Sequence, residues 1–192
     1  MGAIVAERAH PEVDGFGSGQ KYRSYLFDRY GWAKEYTDNK IVLDIPTGIG
    51  WGASLLTNAR QVYGIDSSTP AIVDGIERYS NVKFIVGDMC SIPLQNKSID
   101  VLVCLDGYEH IRKEQQLFFI KEVSRILKLN GVFLVNIPRA LKRDGKSPNP
   151  YHLHEPTVEE FVEDINSKFI LNSLELNDIG GYPNIRAVLG LK

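Results

Sequence analysis

The chain has 192 residues, of which 43% are hydrophobic, which is enough for one sizeable core but little for two domains. Its 24 acidic side chains nearly cancel its 22 basic ones, so no overall field favours a long nucleic acid or an anionic membrane. The two cysteines lack zinc-ligand spacing, and no stretch is apolar enough for a signal peptide or a membrane span. We therefore expect one cytoplasmic domain over residues 1–192 with no membrane partner.

The N-terminal residues 1–38 combine a loose arm with an aromatic helix. Residues 1–20 are rich in glycine and in small or polar side chains. From Lys21 onward, aromatic and apolar residues recur at helical spacing, namely at Tyr22, Tyr25, Leu26 and Tyr30. We expect this helix to act as part of a lid over the site that the rest of the chain builds.

Residues 40–138 alternate between strand and helix patterns. Strands are predicted over residues 40–45, 61–66, 81–88, 98–106 and 131–138, and helices over residues 51–59, 69–79 and 115–128. Thr69, followed by Pro70, should cap the second of these helices. The apolar stripe of the third consists of Leu117, Ile120, Val123 and Leu127. The fourth strand is almost continuously apolar, as is typical of a parallel strand buried on both faces.

The end of the chain adds a long loop, a helix and two strands. Residues 139–156 lack periodicity, and a loop of that length is usually functional. A helix over residues 157–168 begins with a capping box of Thr157 and Glu160. It precedes two strands, 168–176 and 185–191, which should be antiparallel. This order predicts an α/β fold, a doubly wound three-layer sandwich with a mostly parallel sheet. In such folds ligands bind at the carboxyl ends of the strands.

The turn after the first strand has two possible kinds of ligand. Gly48, Gly50 and Ala53, with Asp66 18 residues after Gly48, satisfy a dinucleotide pattern in which phosphates lie against the turn. Asp44 argues against phosphates, because a carboxylate at the end of the strand favours an ammonium or a sulfonium. S-adenosylmethionine carries both groups, and its ribose offers two hydroxyls to Asp66.

Four stretches now resemble the class I S-adenosylmethionine-dependent methyltransferases: LDIPTGIGWG, YGID, VGDM and RILKLNGVFLV. The resemblance implies a Rossmann-like fold with a seven-stranded sheet. It also implies S-adenosylmethionine as cofactor, with S-adenosylhomocysteine as product. By this resemblance Asp44 lies beside the methionine end of the cofactor, Asp66 holds the ribose, and Asp88 and Met89 bracket the adenine.

The resemblance extends to the backbone around the cofactor and includes two departures. Gly48 and Gly50 are the glycines that let the backbone approach the ligand, and the backbone near Leu105 lines its other side. Pro46 stands where the family usually has a glycine, and Asn130 replaces a glycine before the fifth strand. Proline removes one N–H group, so we expect cofactor binding to be weakened at most.

Titratable side chains follow the fourth strand in LDGYEHI. Transfer to a hydroxyl requires that the acceptor atom be aligned and lose its proton. His110 is the predicted base, because histidine titrates near neutrality, and Glu109 would orient a donor or a substrate hydroxyl. His152, in the loop over residues 139–156, is expected to reach the same face. The alternative for His110 is a histidine that only packs or caps, and Tyr108 should form a partly buried pocket wall.

A second resemblance concerns the acceptor. NPYHLHEPTVEEF, GFGSGQKYRSYLF and the EH pair look like a methyltransferase subgroup associated with bacterial sugar and cell-surface glycan biosynthesis. His152 and Glu155 match the subgroup's loop, whereas His154 replaces an arginine and so removes a fixed cation. The implied acceptor is a small molecule, a sugar or nucleotide sugar that accepts the methyl on a hydroxyl or an amine. The loop also carries four basic residues, Arg139, Lys142, Arg143 and Lys146. They would either bind a diphosphate or lie in solvent.

Two other functions fit the same residues. Asp106, Glu109 and His110 with a later histidine resemble the Mg²⁺ or Mn²⁺ site of small-RNA 3′-end methyltransferases, which would make the protein a metal-assisted ribose 2′-O-methyltransferase. The chain has no wide basic or aromatic surface pattern, so we expect neither a nucleic acid partner nor a required metal. The other alternative is a non-catalytic, methyltransferase-like partner subunit. The sequence leaves open whether the chain forms a homo-oligomer.

Overall fold

A seven-stranded sheet organises the computed structural model, which describes residues 20–143, 147, 149–179 and 182–192. Its strands are β1 (Ile41–Asp44), β2 (Gln61–Asp66), β3 (Val82–Val86), β4 (Ile99–Leu105), β5 (Leu127–Pro138), β6 (Phe169–Ile179) and β7 (Tyr182–Leu191). They lie in the order β3-β2-β1-β4-β5-β7-β6. The first five strands are parallel, and β7 is antiparallel to β5 and β6. The predicted doubly wound fold with a mostly parallel sheet is confirmed.

Helices cover the sheet through two hydrophobic clusters. The helices are α1 (Gln20–Lys34), α2 (Thr69–Arg78), α3 (Lys113–Ile126) and α4 (Val158–Ile165), and short 3₁₀ turns occupy Ala53–Leu55 and Tyr108–His110. Neighbouring residues of one strand point to opposite faces, so Leu43 packs in the cluster with α3 and α4 whereas Val42 packs in the cluster with α1. Among the described residues, no helix is long and apolar enough to cross a membrane.

The prediction of a helix over residues 51–59 is wrong, because only the 3₁₀ turn Ala53–Leu55 forms there. The Asn58 amide donates to the Lys34 carbonyl (3.0 Å) and its oxygen accepts from Thr37 (2.8 Å). These bonds tie the segment to the end of α1, and β2 already begins at Gln61. Gly52 weakens the helix further. The local apolar pattern is therefore overridden by contacts with a distant part of the chain.

Two details of the other helices also differ from prediction. Ser68, not Thr69, caps α2, because the Ser68 hydroxyl accepts from the Ala71 amide (3.4 Å). Leu117 is 46% exposed, and Phe119 takes its place on the buried face of α3. The capping box of α4 is confirmed: the Thr157 hydroxyl accepts from the Glu160 amide and the Glu160 carboxylate accepts from the Thr157 amide.

Candidate functional site

The candidate site lies where the parallel strands end, and its first part is the turn after β1. Gly48 has a φ of +57° and Gly50 a φ of +79°, a left-handed conformation that favours glycine. A Cβ on Gly48 would meet nothing within 4 Å, whereas one on Gly50 would lie 2.4 Å from the Phe84 ring. The turn therefore offers the Gly48 backbone to open space while Gly50 packs inward.

Asp66 at the end of β2 holds this turn in place. Its carboxylate accepts from the Gly48 amide (2.8 Å) and from the Ser68 amide (2.8 Å). Each carboxylate oxygen has two lone pairs, so the same side chain can still accept hydrogen bonds from ribose hydroxyls. Gly48 and Asp66, predicted to bind one cofactor, are thus in direct contact, and the open space above Gly48 fits a ligand lying against the turn.

Asp88 and Met89 follow β3, the strand next to β2. Asp88 is exposed and accepts from the Cys90 amide (2.7 Å). Met89 is 8% exposed and packs in the cluster with α3 and α4. Leu105, at the end of β4, is buried and pairs with Asn136 of β5. An exposed acid next to a buried apolar side chain is compatible with an adenine that is hydrogen bonded at its edge and packed on its face.

Asp44 at the end of β1 is almost fully buried, at 1% exposure. Its carboxylate accepts from the Thr47 hydroxyl (2.6 Å) and from the Tyr30 hydroxyl of α1 (3.2 and 3.3 Å). Burial raises the pKa of Asp44 to about 7, although hydrogen bonds from Thr47 and Tyr30 act in the opposite direction. The charge of Asp44 therefore changes near neutral pH and responds to any cation placed beside it.

A polar network beneath α1 was not predicted. Arg29, only 2% exposed, forms an ion pair with Asp106 just after β4. The Tyr25 hydroxyl donates to both oxygens of Asp106 (3.0 and 3.1 Å), and the Asn136 amide donates to one of them (3.1 Å). The network fixes α1 over the ends of β4 and β5. The sequence feature that could have indicated this network is Arg29, which lies four residues after Tyr25 on the aromatic face of the helix.

Glu109, His110 and His152, the predicted catalytic residues, lie together beside the end of β4. Nε2 of His110 is 3.9 Å from Oε1 of Glu109, and Nε2 of His152 is 4.0 Å from the same oxygen. The two imidazole rings meet edge to face with centroids 5.1 Å apart. The Glu109 side chain is completely buried. Two imidazoles thus face one buried carboxylate.

The 3₁₀ turn after β4 and the loop that carries His152 are joined through their backbones. The Glu109 carbonyl accepts from the Leu153 amide (2.8 Å) and the His154 amide (3.2 Å). The Gln116 side chain, fully buried in α3, donates to the carbonyls of Tyr108 (3.1 Å) and His154 (3.0 Å). These bonds hold the turn and the distant loop in fixed relation.

Hydrogen bonds orient both imidazoles. Nδ1 of His110 is 3.1 Å from the Tyr151 carbonyl, and Nδ1 of His152 is 2.6 Å from a carboxylate oxygen of Glu155. Because carbonyl and carboxylate oxygens only accept, both Nδ1 atoms carry the hydrogen. Nε2 of His152 accepts from the Asn149 amide (2.9 Å). Burial alone would raise the pKa of Glu155, but the bond from His152 holds it below its ordinary value.

Other loop residues lie away from this group. Arg143 pairs with Glu163 of α4 (2.7 Å), and both side chains are exposed, so the pair contributes little to stability. Tyr108 is not a partly buried pocket wall but is completely buried, and its hydroxyl donates to Asp164 (2.8 Å). Burial lowers the pKa of His154. The predictions for Lys146 and for the side chain of Tyr22 concern positions outside the described residues.

The chain is similar to known methyltransferases. Residues 43–135 match a family described as a methyltransferase domain. A protein of Mycobacterium tuberculosis, described as a probable S-adenosylmethionine-dependent methyltransferase, is 30% identical over 167 residues, which cover 83% of this chain and 58% of the relative. The demethylmenaquinone methyltransferase of Thermotoga maritima is 31% identical over 107 residues, or 53% of this chain and 46% of the relative. The chain spans about half the length of the curated relatives it matches.

The fold comparison covers more of the chain. The crystal structure of the PH0226 protein from Pyrococcus horikoshii is 25% identical, with a TM-score of 0.75 over 91% of this chain and 92% of that protein. The likeness therefore extends well beyond the matched residues 43–135.

Proposed function

We propose that this chain, whose residues 43–135 match a family described as a methyltransferase domain, transfers a methyl group from S-adenosylmethionine to a hydroxyl of a small-molecule acceptor, a sugar or a nucleotide sugar. The observation that carries the proposal is the convergence of Glu109, His110 and His152 beside the end of β4. The domain match and the relatives support S-adenosylmethionine as the cofactor.

The residues of the turn would hold the cofactor. Gly48 presents its backbone to open space, and Asp66 lies in contact with it with lone pairs left for ribose hydroxyls. Asp44 lies on the neighbouring side of the turn, where its carboxylate would stabilise a positively charged ligand. S-adenosylmethionine supplies an electrophilic methyl group on a sulfonium, which an acceptor oxygen attacks in line. These residues bind and orient; none of them takes part in the bond exchange.

His110 supplies the base in this proposal. Its Nδ1 donates to the Tyr151 carbonyl, so the lone pair of the neutral ring is on Nε2, which faces Glu109. The hydroxyl proton passes to Nε2 while the oxygen–methyl bond forms and the methyl–sulfur bond breaks, which leaves S-adenosylhomocysteine. The buried carboxylate of Glu109 stabilises the imidazolium that results.

The polarity of the cluster favours a hydroxyl acceptor. The two imidazoles would have to be desolvated against the apolar ring of a quinone, whereas a sugar offers hydrogen-bonding groups to them. The resemblance of NPYHLHEPTVEEF to enzymes of glycan biosynthesis points the same way. The demethylmenaquinone methyltransferase of T. maritima makes a quinone the competing acceptor.

An acceptor screen with the purified full chain and radiolabelled S-adenosylmethionine tests the proposal. Nucleotide sugars, free sugars, a demethylmenaquinone and a small RNA serve as acceptors, and His110→Ala is compared with wild type. We expect transfer to at least one sugar and its loss in the variant. Transfer only to the quinone or only to RNA would contradict the sugar acceptor. Cofactor binding without transfer to any of them would favour the non-catalytic alternative.

A further inference from the structure

We propose that Glu109, His110 and His152 form a binding site for one divalent transition-metal ion of the Zn²⁺ type. One ligand atom from each residue lies within 4.8 Å of the other two. The site itself stands on this geometry, whereas its part in methyl transfer rests on the function proposed above. The ion would replace the proton-accepting role of His110 with a ligand role.

The ligand atoms lie slightly farther apart than they would on a bound tetrahedral ion. Zinc binds imidazole nitrogen at about 2.0–2.1 Å, so two ligand atoms on one ion lie about 3.3 Å apart. Nε2 of His110 and Nε2 of His152 are 3.9 and 4.0 Å from the same Glu109 oxygen. These separations are too long for hydrogen bonds, and small side-chain rotations shorten them to the spacing that an ion requires.

The second nitrogen of each imidazole is held as in metal sites. Metal-binding histidines almost always donate their other ring N–H to a carboxylate or a backbone carbonyl, which fixes the tautomer and directs the lone pair to the metal. His152 donates to the Glu155 carboxylate, and His110 donates to the Tyr151 carbonyl. Both lone pairs therefore lie on Nε2, the atoms that face Glu109.

The ligand set also selects the class of metal. Two imidazoles and one carboxylate suit Zn²⁺ and other divalent transition metals, whereas Mg²⁺ and Ca²⁺ prefer a set of oxygen ligands. Mg²⁺ and Mn²⁺, the ions of the RNA-methyltransferase alternative, are better suited by oxygen ligands. The Asn149 amide donates to Nε2 of His152 (2.9 Å) and must move when an ion binds. Asn149→Ala should therefore not weaken metal binding.

An ion with three protein ligands keeps a fourth coordination position, which the acceptor can occupy. A hydroxyl bound at that position loses its proton more readily, as water does on zinc. The proton passes to solvent, the oxygen–methyl bond forms and the methyl–sulfur bond breaks, and no redox change is involved. In this form of the reaction His110 only binds the ion.

Calorimetric titration of the chelator-treated full chain with ZnSO₄ tests the site, with MgCl₂ for comparison. We expect one Zn²⁺ per chain and no comparable Mg²⁺ binding. His152→Ala should weaken zinc binding about 100-fold or more, and Glu155→Gln about 10- to 100-fold. His154→Ala, which removes a neighbouring histidine that faces Glu160 (3.8 Å) instead, should leave the affinity unchanged. Circular dichroism verifies that each variant is folded.

The outcomes separate this inference from the proposed function. Absence of zinc binding, or equal binding by wild type and folded His152→Ala, would overturn the site, and transfer by the chelated enzyme would then leave His110 as base. Zinc binding that depends on His152, without transfer to any acceptor, would support the site and contradict the methyl-transfer proposal. Zinc binding with transfer rates unaffected by chelation would overturn the role of the ion in the reaction.

Discussion

Replacing Asp44 by asparagine should make the protein more stable at alkaline pH and a poorer binder of its cofactor. Burial raises the pKa of Asp44 from its ordinary value of 3.8 to about 7, so the folded protein holds this proton more tightly than the unfolded chain does. Between pH 3.8 and about pH 7 the folded state carries more protons than the unfolded state, so the free energy of unfolding falls as the pH rises. At about 1.36 kcal/mol per pH unit, the loss is on the order of 4 kcal/mol above pH 7.

The asparagine side chain is neutral at every pH and escapes this loss, so Asp44→Asn should equal wild type at about pH 4 and gain up to about 4 kcal/mol at about pH 8. Urea unfolding at both pH values measures the difference. Asp100→Asn is the matched control, because Lys128 and the Ile41 amide hold the pKa of Asp100 below its ordinary value despite its partial burial. That control should lose stability at alkaline pH. An Asp44→Asn variant no more stable than wild type at about pH 8 would show that the buried charge of Asp44 does not destabilise the folded protein.

Three further predictions concern single substitutions, and the third includes a control variant. His110→Ala, which removes the proposed base, should keep cofactor affinity while kcat falls about 10²- to 10⁴-fold in steady-state assays. A rise in KM for the cofactor by the same factor would contradict the role of His110 as base. Asp66→Ala should abolish cofactor binding in calorimetry, since it removes both the ribose acceptor and the bond to the Gly48 amide; unchanged affinity would exclude Asp66 from the site. Arg29→Met, which leaves the Asp106 partner in a mostly buried network, should lower the free energy of unfolding by about 3 kcal/mol, whereas Arg143→Met should change it by less than about 1 kcal/mol because that pair is exposed. Similar losses in the two arginine variants would contradict the importance assigned to the network.

Features that depend on local periodicity and on strand ends could be predicted from the sequence. The strands over the parallel core were identified because their apolar runs and turn residues are local signals. The proximity of Glu109 and His152 could be expected because the loop that carries His152 should reach the same face. The proximity of Gly48 and Asp66 could be expected because the ends of neighbouring parallel strands share one edge of the sheet.

Features that depend on distant contacts could not be predicted in this way. The short 3₁₀ turn in place of a helix over residues 51–59 is set by the bond from Asn58 to Lys34, 24 positions away. The ion pair of Arg29 with Asp106 spans 77 positions. The burial of Asp44 depends on Tyr30 packing over the turn. In each case tertiary packing decides the environment of the side chain, and the local sequence does not identify its partner.

We infer that the turn after β1 binds S-adenosylmethionine, and calorimetric titration of the purified chain measures this binding. S-adenosylmethionine and S-adenosylhomocysteine serve as ligands and NAD as control, each with and without a divalent metal ion. We predict micromolar binding of the first two ligands and none of NAD. Binding of NAD would instead indicate a dinucleotide site, and binding of neither sulfur compound would favour a partner subunit without catalytic activity.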